Sequence, residues 1–165
     1  MTTKTTLRLM LLVGVLVVVS TAHAQGAGPY NFYSVTPCRL ADTRGFGFSG
    51  LSGPPALSAG SPRNFPIAGL CGVPADAKAA ALNVTVVSPT LEGFIKIWPS
   101  NQSLPAVSTI NFAAGEPAIA NGAIVPMALD LQGNTIADPQ ISVVYGTAVP
   151  GGTADLILDV TGFFK

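Results

Sequence analysis

Apolar and polar positions alternate with a period of two in several stretches of this chain. The clearest stretch is Leu82-Asn83-Val84-Thr85-Val86-Val87. Alternation of this kind belongs to a strand with one face in a core, so Leu82, Val84 and Val86 are expected inside, and Asn83 and Thr85 outside. The strand is predicted over about Ala79–Ser88, although Ala75–Ala81 has helical propensity. The segment Pro89–Gly93 is read as a hairpin connection into Phe94–Trp98, with Ile95 and Ile97 on one face and Phe94, Lys96 and Trp98 on the other. Ala154–Phe164 repeats the pattern, with Leu156, Leu158 and Val160 opposite Asp155, Ile157 and Asp159.

Shorter runs fill in the rest. Asn31–Thr36 and Arg39–Thr43 read as brief strands around Pro37, and Arg63–Ala68 as an edge strand interrupted by Pro66. Val107–Phe112, Ala118–Pro126 and Ile141–Tyr145 complete the set, with turn signals at Gln132-Gly133-Asn134 and Pro150-Gly151-Gly152. Gly45–Pro62 is a long loop whose Phe46, Phe48 and Leu51 are expected to tuck inward. Short strands separated by frequent turns predict an all-β fold, a single antiparallel β-sandwich or barrel-like domain.

The first residues break this pattern. Lys4 and Arg8 precede an unbroken apolar run of 11 residues, Leu9–Val19, and Ala22-His23-Ala24 supplies small residues for cleavage between Ala24 and Gln25. Residues 1–24 therefore read as a secretory signal peptide and 25–165 as the single domain. The run is shorter than the roughly 20 residues of a membrane-spanning helix, and no transmembrane segment is expected after cleavage. The expected location is outside the cell, released or on its surface.

Removing the signal changes the chemistry. The whole chain of 165 residues is 48% hydrophobic and 10% charged, with eight basic and eight acidic residues. Without the signal, six basic residues face eight acidic ones, and the single histidine, His23, is gone. That balance argues against a nucleic-acid partner. A chain with no imidazole also has no Ser-His-Asp or Cys-His machinery and no His-ligated metal site. No cofactor is expected. Cys38 and Cys71 are the two cysteines, and in an oxidising compartment they are expected to pair, closing a Gly-, Ser- and Pro-rich segment.

Three sets of residues are candidates for function. Asp42 and Arg44 flank Thr43 before the long loop; they are candidate ligand contacts, with an ion pair or turn bond as the favoured structural reading. Trp98, the single tryptophan, is either a stacking platform for a sugar ring or, as favoured, a core residue. Asp155 and Asp159 lie about 13 Å apart on one strand, beyond the roughly 5–9.5 Å of glycosidase carboxylate pairs, and read as a solvated sheet face. Asp130, Asn134 and Asp138 form a looser acidic loop without a known ligand spacing. Asn83-Val84-Thr85 and Asn101-Gln102-Ser103 match the glycosylation sequon.

Five blocks occur in order: VTPCRLADTR (Val35–Arg44), GVPADAKAAALNVTVVSPTLEGFIKIWPS (Gly72–Ser100), VSTINF (Val107–Phe112), ANGAIVP (Ala120–Pro126) and ADLILDVTGFF (Ala154–Phe164). The series resembles an all-β module of secreted and surface proteins of Acidobacteria and Actinobacteria. The resemblance spans nearly the whole chain after the signal. It implies an exported surface or interaction module without an established activity. The expected function is thus a secreted, non-enzymatic module for surface interaction or extracellular assembly, with a cell-envelope glycan or another protein copy as partner. A carbohydrate-binding module built on Trp98 is the alternative, and a carboxylate-based hydrolase the third reading.

Overall fold

The computed structural model describes residues 28–137 and 139–165. The signal segment with its Ala24–Gln25 junction, and Asp138 of the acidic loop, lie outside these residues. Among the described residues, nine strands form two antiparallel sheets. They are β1 (Phe32–Asp42), β2 (Leu57–Ser58), β3 (Arg63–Phe65), β4 (Ala79–Val87), β5 (Gly93–Pro99), β6 (Ile110–Phe112), β7 (Ala118–Pro126), β8 (Ile141–Gly146) and β9 (Thr153–Phe164). The larger sheet has the order β1-β9-β4-β7, with β2 continuing the β1 edge of β9; the smaller has the order β3-β8-β5-β6. The domain is therefore a sandwich of two sheets.

The core lies between them. Ala80, Leu82, Val84 and Val86 of β4 and Leu156, Leu158 and Val160 of β9 face Ile95, Ile110, Ile141, Val143 and Tyr145 of the smaller sheet. The alternation read from β4 and β9 is thus the alternation between core and outer face. Tyr145 fills the interior with its ring and donates its hydroxyl to the Leu91 carbonyl at 2.8 Å. Gln140 is buried, and its Oε1 accepts from the backbone N–H groups of Ile67 (2.7 Å) and Ala68 (3.0 Å). This takes up two donors that the chain would otherwise bury unpaired once β3 ends at Pro66.

The structure changes four expectations. The two brief strands around Pro37 are one strand, β1, in which register shifts between Ser34 and Cys38 and between Arg39 and Ala41 absorb the proline and an extra residue. Pro89–Gly93 is not a hairpin. β4 and β5 belong to different sheets, and Ser88, with φ +46°, leads the chain across the sandwich. The Val107–Phe112 strand shrinks to Ile110–Phe112. In the long loop, Phe46 is 77% and Leu51 53% exposed, so neither tucks inward. The loop is instead gathered by Arg63, which donates to the carbonyls of Gly50 (3.0 Å), Leu51 (2.8 Å), Gly53 and Pro55 (2.5 Å).

Cys38 and Cys71 form the expected disulfide, with Cα atoms 5.7 Å apart. It ties β1, the margin of the larger sheet, to the connection that leaves the smaller one. A bond of this kind belongs to an oxidising compartment. Among the described residues, no helix is long and apolar enough to cross a membrane.

Candidate functional site

Strand register sets out the exposed face of the larger sheet as cross-strand rows. Phe32, Phe164, Ala79 and Pro126 share one row, and Ser34, Gly162, Ala81 and Ile124 the next. A third row holds Arg39, Asp159, Asn83 and Gly122, and a fourth Asp42, Ile157, Thr85 and Ala120. Two apolar rows thus run beside a polar one. The first two are open to solvent at Phe32 (52% exposed) and Ile124 (65%). Phe32 packs on Phe164 with ring centroids 5.2 Å apart. Its ring also lies over Gly162, where a Cβ would stand 2.4 Å from it. Any side chain there would collide with the ring, so the position calls for glycine.

The polar row is built on a chain of ion pairs. Arg39 donates Nε and Nη2 to the two oxygens of Asp159, at 2.8 and 3.3 Å, and Nη1 to Asp42 at 3.0 Å. Arg44 grips the same Asp42 with Nε at 2.9 Å and Nη2 at 2.7 Å, and its backbone N–H donates to Asp42 Oδ1 at 3.1 Å. Asp42 is fully buried beneath the two arginines. The Arg44 hydrogen bond, aided by the nearby positive charges, holds its carboxyl below the usual range against the opposing effect of burial. Arg39 is raised in turn, chiefly by its bond to Asp159, and Arg44 by its bond to Asp42. Arg44 also lies over the Phe46 ring, 4.7 Å from its centroid.

Asp42-Thr43-Arg44 is therefore a folded unit that starts the long loop, and only its arginine reaches solvent. Asp155 and Asp159 do not form a bare solvated face: Thr43 Oγ1 donates to Asp155 at 2.7 Å, and Asp159 is held by Arg39. Around this row lies a shallow cleft of about 640 Å³, lined by Pro37, Cys38, Arg39, Asn83, Asp159 and Thr161. Sequence reasoning had Asn83 and Asp159 on the outer face but missed Arg39 as their neighbour. Its proximity depends on the β1–β9 register, for which no local pattern exists.

Trp98 stands elsewhere. It lies on the outer side of the smaller sheet and is 7% exposed, with Nε1 donating to the Gln102 carbonyl at 3.0 Å. Lys96 beside it donates to the Pro105 carbonyl at 2.8 Å, so the connection after β5 roofs this face. Under this roof Trp98 is buried, with little of its ring open to a ligand. Among the described residues, no group of three or more His, Cys, Asp or Glu side chains is arranged to hold a metal ion. The chain matches no family model, no characterised protein and no solved structure.

Proposed function

We propose that this chain is an exported, non-enzymatic interaction module that meets its partner with the outer face of the larger sheet. The observation that carries this reading is the asymmetry of the two outer faces. The connection after β5 roofs the smaller sheet and buries Trp98, while Phe32, Ile124 and the small residues of β7 stand open on the larger one. An apolar patch rimmed by polar groups on a small soluble domain is typical of a contact surface. The engagement of Asp42, Asp155 and Asp159 by arginine and threonine favours contact over carboxylate chemistry.

The resemblance to surface modules agrees with this reading, as does the disulfide. The partner is a component of the cell envelope or a second copy of the chain. The purified protein is expected to be retained on envelope preparations of the producing cells, or to self-associate in light scattering. Ile124→Lys should weaken either behaviour by placing a charge in the patch. A strict monomer that passes unretained over the envelope overturns the proposal.

A further inference from the structure

The cleft around Arg39 has unspent hydrogen-bonding capacity of a particular kind. Arg39 uses three of its five N–H donors on Asp159 and Asp42, and its side chain is 40% exposed. Each Asp159 oxygen accepts one bond from Arg39 and keeps a further lone pair, at 23% side-chain exposure. Asn83 donates one N–H to Thr85 Oγ1 at 3.3 Å, which leaves its carbonyl oxygen and second N–H for a ligand. Donors and acceptors thus alternate across three neighbouring strands. The charges of Arg39, Arg44, Asp42 and Asp159 cancel.

We infer that this row is a binding site for a neutral sugar chain, with Phe32 as its stacking platform. The inference rests on the interaction reading above and names its ligand class. Vicinal hydroxyls each donate and accept, which is what a guanidinium–carboxylate pair beside an amide can satisfy together. The cancelled charge disfavours an acidic polymer. The aromatic ring lies over Gly162, in the row adjacent to Arg39, Asp159 and Asn83, so one sugar can rest its C–H face on Phe32 while a neighbour reaches the polar groups. From Arg39 across Asp159 and Asn83 to Gly122 is three strand spacings, about 14 Å, room for more than one ring. Gly122 and Ala120 keep the far end flat.

The test is calorimetric titration of the full exported chain with the neutral hexasaccharides cellohexaose, mannohexaose and chitohexaose, beside polygalacturonate as an acidic control. Binding of at least one is expected, weakened about tenfold or more, roughly 1.4 kcal/mol, by Phe32→Ala and by Asn83→Ala. Leu131→Ala, on a fully exposed turn residue, should leave it unchanged. Thermal melts matching the parent confirm that both variants fold. Trp98 emission should not move on saturation, because its ring is covered. Equal binding by the parent and both variants overturns the site. Binding to none of the three, or only to polygalacturonate, overturns the ligand class. If the chain is retained on envelope or self-associates in that case, the interaction reading stands without the sugar; if it is a strict monomer and is also unretained, both fall.

Discussion

Asp42 concentrates at one residue the electrostatics of the outer face. Its carboxylate is buried, yet it accepts four hydrogen bonds, three from Arg44 and one from Arg39. A buried charge is tolerable when its partners are paired with it and themselves reach water, as both arginines do here. Its folded-state pKa lies below the ordinary 3.8, with the Arg44 hydrogen bond as the largest cause. A depressed carboxylate stabilises the fold above its unfolded value. That contribution is fully present above about pH 4 and is lost as pH falls below 3.8 toward the folded value. Asp42→Asn should therefore cost about 2–3 kcal/mol near neutral pH, on the scale of hydrogen bonds to charged groups. It should also flatten the acid limb of the stability profile. Urea midpoints near pH 7 and near pH 3 check both; a variant as stable as the parent at neutral pH would remove Asp42 from this role.

Arg63 acts at the scale of an element, since it stands at the start of β3 and organises the loop before it. It faces no carboxylate among its hydrogen-bond partners, only four carbonyls, and burial draws its guanidinium below the ordinary value. Arg63→Ala is expected to release the loop around Gly50–Ser52 and to cost about 2 kcal/mol. Limited proteolysis should then cut within residues 46–56 well before the rest of the domain, whereas the parent resists there. Arg63→Lys should recover only part of this protection, because an ammonium lacks the planar fork. The same contrast explains what could be read from the chain alone. β4 and β9 were legible because one of their faces meets a core and the other solvent, so the pattern is printed in consecutive residues. Strand pairing was not. β5 and β6 are the one pair of sequence neighbours among the described strands that also pair in a sheet, and crossing between sheets leaves no local mark. At the site, the turn bond of Asp42 to Arg44 spans two residues and was readable. The placing of Phe32 over Gly162, and of Arg39 beside Asp159, joins the two ends of the domain and was not.

At the scale of the whole molecule, the non-local pairing makes the disulfide more than a local staple. Among the described strands, β1 pairs with β9 alone, and its own line is interrupted at two register shifts. It nonetheless supplies Phe32, Arg39 and Asp42 to the open face. The Cys38–Cys71 bond anchors this strand next to Arg39 and closes a sequence separation of 33 residues. Loop closure of that length stabilises the folded state by about 3–4 kcal/mol in the chain-entropy model. Replacing both cysteines with serine should lower urea stability by about that amount while leaving the two sheets in place, since β4 and β9 bury their inner faces without the bond. The loss should be felt first where β1 meets the cleft. Hydrogen exchange in the double variant is expected to speed up at Val35–Asp42 and along the facing edge of β9, well before the centre of β4. Uniform acceleration throughout both sheets would instead mean that the bond holds the sandwich together as a whole, and that the open face owes its order to the core rather than to its clasp.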